Sequence, residues 1–126
     1  ALQHLRANNR LFLLTKGDSE EQRDKVTRSR LAHYFEHVEV VLEKNVEAYV
    51  NFVERLGLDP ARTWMIGNSP RSDINPALAA GLNAVHIPHP QTWEMELEEI
   101  EDPRSDRLSV VQSVTELISL FSGEPV

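Results

Sequence analysis

Short apolar runs alternate along this chain with longer stretches in which apolar residues return at every third or fourth position. Residues 10–15, "RLFLLT", form a continuous apolar run ended by "KGD", which predicts a strand buried on both faces. Residues 18–35, "DSEEQRDKVTRSRLAHYF", open with a cap-type Asp18 or Ser19. Acids follow in the first turn, and Val26, Leu31, Tyr34 and Phe35 lie near helical spacing, so a helix is expected. A second strand is predicted over 37–43, "HVEVVLE". Asn45 then caps a helix whose apolar face is Val46, Tyr49, Val50, Phe52, Val53 and Leu56, with Gly57 placed to end it. The pattern repeats once more. "TWMIG" (63–67) reads as a strand, "SDINPALAAG" (72–81) as a helix, and "NAVHIP" (83–88) as a strand closed by Pro88.

Strict alternation of short strands with helices predicts right-handed parallel crossovers and hence an α/β fold with a doubly wound parallel sheet. The last third is less regular. Residues 94–107 are acidic and proline-punctuated and read as a surface loop, and "LSVVQSVTELISLF" (108–121) reads as a short strand running into a C-terminal helix. At 126 residues the chain has the length of one domain, and residues 1–126 are taken as such.

Charge narrows the partners. Twenty acidic against 13 basic residues give a net charge of −7, with no Lys/Arg cluster clear of acids, so nucleic acid is not an expected partner. No apolar run is long enough for a membrane helix, and no membrane partner is expected. The chain has no cysteine, which excludes disulfides and thiolate metal sites and fits a cytoplasmic location.

In open parallel sheets, ligands bind beyond the carboxyl ends of the strands. That rule selects Thr15, Lys16 and Gly17 after the first strand, Lys44 beyond the second, and Gly67, Asn68 and Ser69 after the third, with Asp73 near the start of the following helix. A hydroxyl with backbone N–H groups, a fixed cation and a carboxylate together suit a phosphate with a hard cation. Singly, each has a plainer reading: Thr15 as a strand-end hydroxyl, Lys44 as a solvated lysine, Asp73 as a helix cap. Their common order, each after a strand, favours the joint reading. His86, His89 and Trp93 read as loop packing. His33 and His37 read as structural, lacking the paired spacing and acidic partners of a zinc site. Trp64 and Met65 read as core.

An apolar strand ending in Thr, a Lys before a helix, and "GNSPRSDINPALAAGLNAV" resemble the second, third and fourth motifs of the haloacid dehalogenase-like hydrolases. The spacing agrees, with 29 residues from Thr15 to Lys44 and 29 more to Asp73. The resemblance implies a Rossmann-like core in which an aspartate attacks phosphorus and Mg²⁺ neutralises phosphoryl oxygens. It implies that Thr15, with Lys16 and Lys44, binds phosphate, that Lys44 also stabilises the nucleophile, and that Asp73 and Asn68 hold the metal. A retained Asp73 favours phosphate over dehalogenation, and the substrate implied is a small phosphorylated molecule.

Two departures stand out. Asn68 occupies a position where many members carry aspartate, and no D-x-D motif precedes Thr15. The expectation is therefore a piece of a longer core, inactive as supplied, with the first, nucleophile-bearing strand and any cap domain missing. That strand would sit between the first and third strands, leaving two edges open to another segment or to self-association. The alternative is a non-catalytic binding or assembly module of the same fold. A receiver-like domain ranks last, since its acidic pair and phosphoacceptor Asp are absent.

Overall fold

The computed structural model describes residues 2–90 and 96–122. Trp93 and the first two residues of the acidic 94–107 stretch lie outside them. The chain falls into two compact units, residues 1–43 with 114–126, and residues 44–113.

The first unit holds α1 (Leu2–Arg6), β1 (Phe12–Lys16), α2 (Ser19–Ser29) and β2 (His37–Val41), with α5 (Val114–Ser122) returning from the end of the chain. β1 and β2 pair in parallel, Thr15 opposite Val40. Asp18 caps α2 by accepting the Glu21 N–H at 3.0 Å. α2 ends at Ser29, short of the expected Phe35, because local hydrogen bonding competes with the helix. Ser29 Oγ donates to the Val26 carbonyl at 2.6 Å and accepts the Leu31 N–H at 3.2 Å, while Arg30 turns to φ 60°. Ala32–Tyr34 form a separate 3₁₀ turn. α2 buries no residue. The buried apolar side chains of this unit, among the described residues, are Leu5 and Leu117, on α1 and α5, which pack together.

The second unit holds α3 (Val46–Arg55), β3 (Trp64–Gly67), α4 (Asn75–Ala79), β4 (Asn83–His86) and β5 (Leu108–Val110). β4 is central, parallel to β3 on one side and to β5 on the other. Ala84 and Val85 on β4, with Ile74 and Ala77, are wholly buried, and α3 adds Tyr49, Phe52 and Val53. Asn45 caps α3 through the Ala48 N–H at 2.9 Å. Gly57, at φ 65°, ends it with a Leu58 N–H to Val53 carbonyl bond of 2.9 Å, the left-handed closure that glycine favours. Met65 is half-buried, but Trp64, expected in the core, is 37% exposed at the first position of β3.

The architecture is α/β with parallel sheets, as the alternation predicted, in a sheet of two strands and a sheet of three. Among the described residues, β1 pairs with β2 alone and β3 with β4 alone, so each keeps one edge without a strand. No helix of the described residues is long and apolar enough to cross a membrane.

Candidate active site

β3 delivers the chain to Gly67, and the next seven residues make a single helical turn. Ser69 caps it, its Oγ accepting the Ser72 N–H at 3.0 Å. The turn is wider than an α-helix: the Ile74 N–H reaches back five residues to the Ser69 carbonyl at 3.2 Å. Proline at positions 70 and 76 tolerates this winding, since Pro70 stands where an N–H has no partner to find and Pro76 lies in the first turn of α4. Such wide turns concentrate at functional sites.

This winding turns Asp73 inward. It is not the helix cap; its carboxylate is 4% exposed as a residue and lies across the backbone of Gly67. A Cβ at Gly67 would come within 2.1 Å of Asp73 Oδ2, so the glycine leaves the space that the carboxylate fills. Asp73 Oδ2 accepts the Ser69 N–H at 3.1 Å, and Oδ1 accepts Lys44 Nζ at 2.9 Å. The lysine side chain is 16% exposed and the aspartate's 5%. Removing both charges from water is costly, and such a pair is weak evidence of a purely stabilising role. Lys44 and Asp73, 29 residues apart in sequence, are thus brought together.

Tyr49, on the buried face of α3, donates its hydroxyl to the Ser72 carbonyl at 2.7 Å. Burial, and secondarily the negative charge of Asp73, push its phenol well above the ordinary tyrosine range. Asn68 is exposed at the start of the turn, and His86 Nε2 lies 3.3 Å from its carbonyl oxygen. Oxygen donors alone, a buried carboxylate with the Asn68 amide nearby in sequence, suit a hard cation such as Mg²⁺, and the Gly67 cradle keeps the carboxylate against the strand end.

In the first unit, Thr15 Oγ1 donates to Gln22 Oε1 at 2.8 Å, so the first residue turn of α2 orients that hydroxyl. Lys16 ends β1, and Gly17, at φ 141°, packs against the Gln22 side chain. His37 has an acidic neighbour after all: its Nε2 lies 2.8 Å from Glu39 Oε1, because residues two apart on β2 share a face. His33 stacks on Tyr34 with ring centroids 4.1 Å apart. No group of three His, Cys, Asp or Glu among the described residues is arranged to hold a metal.

Two participants escape a reading of the sequence. Tyr49 counts there only as part of an apolar face, although a buried phenol needs an acceptor. Glu96 lies in the acidic stretch expected to be solvated, yet its Oε2 accepts the Ser69 hydroxyl at 2.8 Å and the Ser72 hydroxyl as well. No spacing rule links Glu96 to serines more than twenty residues away.

The model of the haloacid dehalogenase-like hydrolase family matches residues 1–81. The chain belongs to the haloacid dehalogenase-like hydrolases. It is 30% identical over 113 residues to the glyceraldehyde 3-phosphate phosphatase of Methanothermobacter thermautotrophicus, a match covering 86% of this chain and 49% of that protein. It is 35% identical over 88 residues to human N-acylneuraminate-9-phosphatase, covering 66% of this chain and 36% of the relative. A haloacid dehalogenase-like family hydrolase of Xanthomonas campestris aligns with a TM-score of 0.84 and 29% identity, over 97% of this chain and 50% of that one. The magnesium-bound hydrolase YfnB of Bacillus subtilis shares the fold, with a TM-score of 0.73 and 21% identity over 94% of this chain and 52% of that one. The chain spans half or less of the length of the curated relatives it matches.

Proposed function

We propose that this chain is part of a Mg²⁺-dependent phosphatase of small phosphorylated metabolites, working in the cytoplasm through an aspartyl-phosphate, with both units belonging to one core domain. The observation that carries the reading is the buried Lys44–Asp73 pair, 2.9 Å long, on the cradle of Gly67. The names of the relatives support the substrate class, since both denote phosphatases of small metabolites.

In this reading the nucleophilic aspartate comes from a strand outside residues 1–126. Its carboxylate oxygen attacks phosphorus, the phosphorus–oxygen ester bond breaks, and the alcohol leaves with a proton from a neighbouring acid. Water then cleaves the acyl phosphate and restores the aspartate. When substrate binds, Thr15 turns its hydroxyl from Gln22 Oε1 to the phosphoryl group, with the amides of the strand end and Lys16 beside it. Lys44 holds a fixed positive charge toward the nucleophile and the charge that develops on the phosphoryl oxygens. Asp73 and Asn68 would hold the Mg²⁺, which when bound draws negative charge off those oxygens. Asn68 offers a neutral oxygen where a charged one is common, and one carboxylate with waters suffices for this cation. Without the nucleophile's strand, residues 1–126 by themselves would not turn over substrate.

Hydrolysis of an aryl phosphate by the full-length protein, with and without Mg²⁺, tests the proposal. Lys44→Ala and Asp73→Ala are each expected to lower kcat/KM by about 10² or more. Unchanged turnover in both would overturn it. Asn68 favours a second reading, a non-catalytic binding module of the same fold, which predicts no Mg²⁺-dependent turnover from the full-length protein.

A further inference from the structure

The stretch that follows β4 is acidic, and its plain reading is a solvated face. Glu98, Glu99 and Glu101 are indeed exposed, but three buried polar side chains, two on the site turn and Asn75 at the start of α4, hold Glu96 and the backbone beyond it. Ser69 Oγ donates to Glu96 Oε2 at 2.8 Å and lies 3.3 Å from the Glu96 carbonyl oxygen. The Ser72 hydroxyl donates to the same carboxylate oxygen. Asn75 clamps the backbone just beyond, its Nδ2 donating to the Glu99 carbonyl at 2.9 Å and its Oδ1 accepting the Glu101 N–H at 3.0 Å. Ser69, Ser72 and Asn75 are each 6–7% exposed, so these bonds are made from buried side chains to a partly buried segment. Ile100, between the clamped residues, packs on the Ile74, Leu78 and Ala84 cluster.

The direction of the bonds gives Glu96 its role. The carboxylate takes the protons of both serine hydroxyls, which fixes the Ser69 rotamer with a lone pair toward the Ser72 N–H at 3.0 Å. The Ser69 main-chain N–H in turn holds Asp73 Oδ2 at 3.1 Å. One carboxylate thus fixes the rotamers of the turn that aims the other. We infer that Glu96 is a positioning residue: through Ser69 and Ser72 it holds Asp73 in the orientation that receives the divalent cation. The inference rests on the metal role proposed for Asp73. Groups that hydrogen-bond around a ligating carboxylate typically govern metal affinity by about 10- to 100-fold.

The test is Mn²⁺ binding to the full-length protein without substrate, followed by electron paramagnetic resonance, together with the Mg²⁺ concentration that half-activates aryl phosphate hydrolysis. Glu96→Ala is expected to weaken Mn²⁺ binding about 10-fold and to raise the Mg²⁺ requirement in step, at temperatures well below the melting transition. Glu96→Gln, which keeps an acceptor oxygen for the hydroxyls, is expected to restore most of the affinity. Should Glu96→Ala not fold, Ser72→Ala removes one of the two hydroxyls and is expected to weaken binding several-fold. Affinity within twofold of wild type in Glu96→Ala, or in Ser72→Ala where that variant stands in, overturns the inference when Asp73→Ala abolishes binding. If Asp73→Ala itself leaves Mn²⁺ binding intact, the proposed metal site fails and the inference with it.

Discussion

Gly67 lacks a side chain at the point where Asp73 needs the room. Its φ is not in the left-handed region; what the position excludes is volume, since an added Cβ would stand 2.1 Å from Asp73 Oδ2. Gly67→Ala is therefore expected to displace the carboxylate from Lys44, lowering kcat/KM at least tenfold while costing about 1–3 kcal/mol of stability by denaturant melts. Wild-type activity in that variant would mean that the carboxylate's place against the strand end is unimportant. Lys44, Asp73 and this glycine were legible in the sequence because each stands at a fixed offset from a strand or helix boundary. Glu96 was not, because its partners come from the fold rather than from local periodicity, and an acidic run looks the same whether solvated or clamped.

At the scale of elements, helix α3 carries Tyr49 into the interior, where its hydroxyl holds the carbonyl of Ser72 in the site turn. Tyr49→Phe leaves that carbonyl without its donor and is expected to cost about 1–2 kcal/mol. The pH dependence has a definite sign. Burial raises the folded phenol's pKa above its unfolded value near 10, so the folded state keeps a proton that the unfolded chain releases. The stabilisation is complete below about pH 10 and declines above it. Alkaline unfolding curves should show this loss in the wild type and a smaller one in Tyr49→Phe; identical curves would show that the phenol is not held neutral. From residue 10 onward the types of the main strands and helices were legible from apolar periodicity, and the caps Asp18 and Asn45 from residue chemistry, whereas helix α1 was not foreseen. The end of α2 was not, because Ser29 and a left-handed Arg30 override an apolar pattern that runs on to Phe35. The wide turn before α4 was also hidden, since no residue pattern in 69–74 separates a five-residue reach from the ordinary four.

For the whole molecule, the arrangement of strands carries the main consequence. β1 and β3 each have one strand neighbour among the described residues, and a strand edge without a neighbouring strand is a template on which another strand can pair. Among its described residues the first unit buries two apolar side chains, Leu5 and Leu117. A polypeptide of residues 1–126 made alone is expected to self-associate with rising concentration in sedimentation velocity, and the full-length protein to show no such trend through these edges. A monomeric 1–126 with a sharp cooperative melt would contradict that expectation. The alternation of strand and helix gave away parallel pairing from sequence, but the division into sheets of two and three strands depends on pairings that no local pattern encodes.

The most direct test of the account is a double-mutant cycle on Lys44 and Asp73 in the full-length protein, read as kcat/KM for an aryl phosphate at saturating Mg²⁺. Because the two side chains form one buried pair 2.9 Å long, the double variant is expected to be little worse than either single variant, with a strongly non-additive coupling. Losses that simply multiply, or singles that retain wild-type turnover, would show that this pair is not the working centre of a phosphatase.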